Sequence, residues 1–320
     1  MDKLKVVSWN CEDFYQYSSK NKLRSQMMYQ LNKNNIIEEL KSADIILLQE
    51  WNEETGTSFF HYLEYFEKMV VDRTAVLYRK SKFTDAEYLE IELLWEPPAV
   101  IERAYTSGRV KKNIFAKLLY GTFPIFISCF HLSAYIPYFH RGFHSRQLTT
   151  YLNNCLLSGL FTNKDSIQNN ILNFGFIIGG DTNFNDGVLH TNLLSDLIAP
   201  SLVNELGLHD VCVGNCENTY TQDFLCTHEI DFGKILWRKK SQLKNKQSRL
   251  DFLAVNKMMK STNAKIVKVC NLSDHSLIST EVMFDEKSGQ SVKGGYKRKK
   301  TILTKRKRRR NKKRKTKRNV

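Results

Sequence analysis

The feature that most narrows what this chain can fold into is a set of apolar runs, spread along most of its length, that end in carboxylate, amide or imidazole groups. They read Val6-Val7-Ser8-Trp9-Asn10-Cys11-Glu12, Ile45-Ile46-Leu47-Leu48-Gln49-Glu50, Ile127-Ser128-Cys129-Phe130-His131, Ile177-Ile178-Gly179-Gly180-Asp181-Thr182-Asn183, Arg249-Leu250-Asp251-Phe252-Leu253 and Ser273-Asp274-His275-Ser276. A buried strand that ends this way carries its polar group to a sheet edge, where several such ends can converge on one cleft. One ending says little, since a lone Gly-Asp-x-Asn is commonly a turn. Six point to an assembled site. Asp251 is the sharpest case, because a carboxylate inside an apolar strand costs on the order of several kcal/mol unless it is paired. His275 is its natural partner.

Period-two and continuous apolar runs predict strands near 4–9, 44–49, 74–79, 113–119, 125–131, 174–179, 249–255 and 276–283. Helical patterns fall near 22–41, 57–68, 141–160 and 190–200. Strands mixed with helices throughout argue for a layered α/β domain, and no internal repeat is evident. With 42% hydrophobic and 12% aromatic residues, 320 residues can bury a substantial core. No apolar run is long enough to span a bilayer, and the start Met1-Asp2-Lys3-Leu4 lacks a signal-peptide core. A non-secreted, intracellular monomer is the expectation.

The seven cysteines are odd in number and lack a Cys-x-x-Cys, so reduced thiols are expected. Cys212, Cys216, Cys226 and His228 have zinc-ligand chemistry but no common zinc-site spacing. A basic stretch between Cys226 and Ser248 is expected to form a long loop before the Asp251 strand.

Net charge divides the chain. The 18 Lys and Arg after Glu286, with no acid among them, exceed the whole net charge of +16 and leave residues 1–286 at −2. Residues 1–286 therefore form the expected near-neutral folded domain. Residues 287–320, which include Lys305, Arg308, Arg309 and Arg310, are expected to be a disordered tail that binds polyanions or directs nuclear localisation. Such a tail on a compact enzyme also resembles those of proteins packaged with DNA in large viruses.

The ordered set Asn-x-Glu, Gln-Glu, His, Gly-Asp-x-Asn, Leu-Asp, Ser-Asp-His resembles the endonuclease/exonuclease/phosphatase superfamily over roughly residues 3 to 284. The resemblance implies a four-layered α/β sandwich, two mostly antiparallel sheets flanked by helices, with the site at one edge. It also implies a phosphodiester hydrolase dependent on Mg2+ or Mn2+, since hard oxygen ligands suit those ions. Glu50 would be the main metal ligand, with Asn10, Glu12 and Asp274 beside it. His275 would contact the scissile phosphate and serve as base, with Asp251 holding its tautomer, or Asp181 would instead position or deprotonate the water, since the family divides this role between these residues. Asn183 and His131 would donate to phosphoryl oxygens. His131 resembles the deoxyribonuclease, tyrosyl-DNA phosphodiesterase and sphingomyelinase branches rather than apurinic endonucleases. Gly180-Asp181-Thr182-Asn183 and Thr219-Tyr220-Thr221 lean toward tyrosyl-DNA phosphodiesterase. Arg103 and Arg109 are candidate phosphate contacts, and Tyr135 in an aromatic loop is a candidate for stacking on bases. DNA is favoured over RNA as substrate. An inositol-phosphate or lipid phosphodiesterase, or a non-catalytic nucleic-acid-binding protein, is the alternative.

Overall fold

The structure, a computed structural model, describes residues 3–11, 34–53, 61–93, 111–132, 141–160, 174–183, 193–212, 220–221, 247–248, 251–267, 273 and 275–284. Fourteen strands carry these residues. In chain order they are β1 (Leu4–Asn10), β2 (Ile45–Gln49), β3 (Phe66–Val71), β4 (Thr74–Arg79), β5 (Asp85–Glu92), β6 (Lys112–Tyr120), β7 (Phe123–His131) and β8 (Gly175–Asp181). Then come β9 (Leu208–Asp210), β10 (Tyr220–Thr221), β11 (Gln247–Ser248), β12 (Asp251–Asn256), β13 (Met259–Val267) and β14 (Leu277–Phe284). Among the described residues they are accompanied by the helices α1 (residues 34–41), α2 (Arg141–Leu157), α3 (Leu193–Leu197) and α4 (Pro200–Leu206).

Two six-stranded sheets result, in the orders β13-β14-β1-β2-β4-β3 and β5-β6-β7-β8-β12-β9, with β10 and β11 paired separately. Each six-stranded sheet is antiparallel except at one internal pair, β1 with β2 and β7 with β8. β2, β8 and β12 are buried at every position, which is why their sequences run apolar without alternation. Between the sheets lie Val6, Leu47, Val76, Ile114, Ile127, Ile177, Leu253 and Ile278. The outer face of the first sheet packs Trp9, Ile46 and Leu48 against Ile36, Ile37 and Leu40 of α1. The outer face of the second packs Phe130, Phe176 and Phe252 against Leu148, Tyr151 and Leu152 of α2. Helix, sheet, sheet, helix is the four-layered α/β sandwich.

Local sequence explains the differences from the expected elements. A helix near 57–68 is not formed over its described part: His61–Leu63 is a single 3-10 turn, and Phe66 opens β3. Phe66, Met69 and Val71 are buried while Glu67 is exposed, and the pair Asp72-Arg73, with Asp72 at φ 49°, turns the chain into β4. Pairing with β4 along its whole length outweighs a local helical pattern. The helix near 190–200 divides into α3 and α4 at Ala199-Pro200, with Pro at the start of α4. β5, β9 and β13 are additional strands at or beside sheet edges. β13 is largely polar and bulges between Thr262 and Lys265, so its apolar signal is weak.

Candidate active site

Strand parity places the polar ends. In β1, Leu4 and Val6 point between the sheets, and Asn10 shares their parity; the same holds for His131 with Ile127, Asp181 with Ile177 and Asp251 with Leu253. Side chains that would be core one or two steps earlier thus become a polar lining where the strands stop. In register His131 lies beside Asp181, and Asp181 beside Asp251. Glu50 would alternate outward after the inward Gln49. Its left-handed backbone, φ 55°, interrupts that alternation, and its carboxylate comes within 3.3 Å of Asn10 Nδ2. A non-glycine residue in that region is strained by roughly 1 kcal/mol or more and persists where the surroundings enforce it. Asn183, at φ 49°, is the second such residue in the site.

Gly179 lets the sheets meet beneath these groups: a Cβ there would come within 2.7 Å of Leu47 Cδ1 and 3.0 Å of Ser8 Oγ, on the opposite sheet, while a Cβ on Gly180 would run into the carbonyl oxygen of Phe130 on the neighbouring β7. Below the site, Gln49 Nε2 donates to Cys129 Sγ at 3.3 Å and to Ser8 Oγ at 3.5 Å.

The assembled geometry is close-knit. Asn10 Nδ2 donates to Asp181 Oδ2 at 2.9 Å. His275 Nδ1 pairs with Asp251 Oδ2 at 2.8 Å, and His275 Nε2 lies 3.9 Å from Asp181 Oδ2. His131 Nε2 faces Glu50 Oε1 at 3.5 Å and Asp181 Oδ2 at 3.7 Å, and it is buried without a hydrogen bond among the described residues. The Asn183 backbone N–H donates to Asp181 Oδ1 at 2.7 Å, while its side-chain amide donates to the Leu132 carbonyl at 2.9 Å. The segment before β14 is tied to β1: Ser273 Oγ donates to the Asn10 carbonyl at 2.7 Å and accepts from the His275 N–H at 3.0 Å, and Trp9 Nε1 donates to the His275 carbonyl.

Electrostatics sort the roles. Burial pushes Asp181 up to about 7, helped by Asp251 and Glu50 and opposed by His275. A carboxyl that titrates near neutrality suits proton transfer. Burial, then the charges of Lys111 and Arg73, hold His131 well below the usual imidazole range, so it is neutral at pH 7.

Among the described residues, two groups of side chains approach closely enough to share a cation: Glu50, His131 and Asp181, and Asp181, Asp251 and His275, each with donor atoms within 4.8 Å of one another. The first is the better cradle. In the second, the Asp251 and His275 atoms already satisfy each other at 2.8 Å, whereas in the first the Glu50 and Asp181 carboxylates converge on Asn10 Nδ2, at 3.3 Å and 2.9 Å, and leave His131 Nε2 to face them as a donor.

The structure thus brings together Asn10, Glu50, His131, Asp181, Asn183, Asp251 and His275 of the residues picked out in the sequence. Glu12, Asp274, Arg103, Arg109, Tyr135, Lys305, Arg308, Arg309 and Arg310 lie outside the described residues, as do Cys216, Cys226 and His228. Cys212 is disulfide-bonded, to a partner outside the described residues, which corrects the expectation of uniformly reduced thiols and removes a thiolate from the zinc group. Cys11, Cys129 and Cys155 are free and buried. Sequence reasoning missed Arg73, whose Nη2 lies 3.3 Å from Glu50 Oε2, and Lys111, whose Nζ donates to the Leu132 carbonyl at 3.2 Å. Arg73 sits in the turn between β3 and β4, outside both the helix expected near 57–68 and the strand expected near 74–79, and Lys111 directly precedes a strand without a motif of its own.

No protein-family model and no curated protein matches the sequence. Solved structures do match in three dimensions. TDP2 from Caenorhabditis elegans, truncated, has a TM-score of 0.54 at 17% identity, covering 88% of this chain and 98% of that one. TDP2 from D. rerio, complexed with single strand DNA product, has a TM-score of 0.53 at 15% identity, covering 88% and 100%. An endonuclease/exonuclease/phosphatase from Bacteroides vulgatus has a TM-score of 0.56 at 15% identity, covering 89% and 100%. With two mixed six-stranded sheets packed face to face between helices, this chain has the endonuclease/exonuclease/phosphatase fold.

Proposed function

We propose that the protein is a divalent-metal-dependent phosphodiester hydrolase acting on nucleic acid, with DNA favoured over RNA. The observation that carries this reading is the convergence of Asn10, Glu50, His131, Asp181, Asn183, Asp251 and His275 at one edge shared by both sheets. Likeness in fold to structures that include a TDP2 bound to a single-strand DNA product supports it.

Glu50, with Asn10 and Asp181 beside it, would hold the cation, and the unpartnered His131 Nε2 leaves a polar opening at the same place. Mg2+ or Mn2+ bound there would neutralise charge on the phosphoryl oxygens. The remaining work belongs to the chain. Asp181, titrating near neutrality, accepts a proton from the attacking water, and Asn10 and the Asn183 N–H fix its two oxygens. Asp251 holds the His275 ring through Nδ1, which directs Nε2 into the cleft as a phosphate donor. Neutral His131 donates to a nonbridging oxygen when its Nε2 carries the proton. Asn183 stands beside it on the Leu132 carbonyl.

We assign residues 1–286 to the catalytic domain and residues 287–320 to polyanion binding or nuclear localisation, from charge alone. A panel of abasic duplex, phosphotyrosyl DNA, single-stranded DNA, poly(A) and an inositol phosphate, each with and without Mg2+ and chelator, tests the reading. Metal-dependent cleavage of one or more DNA substrates is expected. Turnover of the inositol phosphate alone would move the assignment to a phosphatase, full activity in excess chelator would remove the metal, and binding without cleavage would leave a scaffold protein.

A further inference from the structure

The two histidines of the cleft are held in different ways. His275 is fixed through its ring, by the Asp251 carboxylate at Nδ1. His131 Nε2 makes no hydrogen bond among the described residues, although the Glu50 and Asp181 carboxylates lie 3.5 and 3.7 Å away, so the main chain has to set where this ring stands. There β7 is supported unevenly. Its pairing with β8 continues through His131 and Asp181, whereas its pairing with β6 ends at Cys129 and Ile114, two residues short of His131.

A side chain takes over where that ladder stops. The His131 N–H donates to Asn113 Oδ1 at 3.0 Å. Asn113 is otherwise an unfavourable residue for its position: it shares parity with Phe115 in the apolar layer under α2, lies opposite Ile91 and is 1% exposed. Its Nδ2 is buried with no partner among the described residues, so that donor forfeits its hydration without compensation. Packing alone would favour leucine. What leucine lacks is the acceptor, and what aspartate would add is a charge beside a cleft that already holds Glu50, Asp181 and Asp251. A neutral acceptor of this length meets both demands.

We propose that Asn113 is a positioning residue for the hydrolytic reaction: it holds the His131 main chain where the β6 ladder gives out, and so keeps the ring facing Glu50 and Asp181. The inference rests on the catalytic reading above, in which His131 donates to a phosphoryl oxygen. A donor stabilises a transition state only when it is already aimed, and a displacement of about 1 Å costs on the order of 10²-fold in rate.

Two substitutions in the full chain separate positioning from stability. Asn113→Leu exchanges one unpaired donor, Nδ2, for another, the His131 N–H, and adds apolar burial, so its melting temperature should stay near that of the wild type. Its kcat on bis-para-nitrophenyl phosphate should fall about 10–100-fold with KM within about twofold. Tyr151→Phe removes a hydroxyl that donates to the Ile114 and Cys129 carbonyls of the same two strands, at 2.9 and 3.4 Å; it should lower the melting temperature and leave kcat alone. An equal fall in kcat in Tyr151→Phe would trace the loss to a loosened β6–β7 pair and overturn the assignment, as would an unchanged kcat in Asn113→Leu. The double variant asks whether Asn113 acts through His131. Asn113→Leu should add nothing to a His131→Ala background, and losses that multiply would overturn the proposal. If the wild type hydrolyses no phosphodiester with Mg2+ or Mn2+, or His131→Ala is fully active, the catalytic reading fails instead. Positioning is then decided by the His131 ring resonance in a 1H–13C spectrum, identified by its loss in His131→Ala. A shift in Asn113→Leu that is absent from Tyr151→Phe supports it, and an unchanged resonance overturns it.

Discussion

Asp251 and His275 are both almost wholly buried and 2.8 Å apart, so exchanging the carboxylate for an amide tests orientation with little change in volume. Asp251→Asn should keep the fold and lower kcat on a phosphodiester by about 10²–10⁴, the range for disabling a positioned proton-transfer group. Steady-state kinetics beside a thermal melt separates this from unfolding. Asp181 carries a different signature. Its folded-state value is raised to about 7 from 3.8, so between those values the folded protein holds a proton that the unfolded chain releases. Stability from this group is therefore fully present below about pH 4 and is lost as pH rises through about 7. In chelator, melting temperature should fall from pH 5 to 8 in the wild type, and the Asp181→Asn profile should be flatter over that window. Parallel profiles would assign the titration elsewhere. The sequence already showed these residues as endings of apolar runs. It could not show that Asn10, His131, Asp181 and Asp251 share one inward parity, because that depends on which sheet face each strand buries. Nor could it show Arg73 or Lys111, since neither follows an apolar ending: Arg73 reaches the site through Glu50 and Lys111 through the Leu132 carbonyl.

At the level of elements, β8 is the most constrained. Gly179 and Gly180 lie where the opposite sheet and the β7 backbone leave no room for a Cβ, and the contact at Gly180 is with a main-chain oxygen that no rotamer can move aside. Gly180→Ala should destabilise the protein by about 1–3 kcal/mol or more, as overpacked cores do, and Gly159→Ala, which meets nothing within 4 Å, should not. Urea midpoints measure both. The Gly-Gly pair was legible in the sequence as part of a motif, although its packing role was not. The central strands were readable because burial on both faces leaves a continuous apolar signal. β13 and β5 were not readable because an edge strand is half polar by necessity, and β3 was obscured by tyrosines and charges at helical spacing.

For the molecule as a whole, charge and chemistry occupy different stretches of sequence. Deleting residues 287–320 should leave hydrolysis of a small diester unchanged while weakening binding to long DNA. If a third of the 18 positive charges engage, the slope of log affinity against log salt should flatten by about five, at −0.9 for each phosphate neutralised. An unchanged slope would assign the tail to localisation. The strand order also has a temporal consequence. β1 is hydrogen-bonded on one side to β2 and on the other to β14, more than 250 residues downstream. A nascent chain emerging from the ribosome can complete the sheet that holds His131, Asp181 and Asp251 before β14 exists, but His275 arrives only with the last strand. A fragment that stops short of β14 would therefore lack His275 and leave the β1 edge that β14 covers unpaired, so completing the first sheet and completing the proposed site are one event.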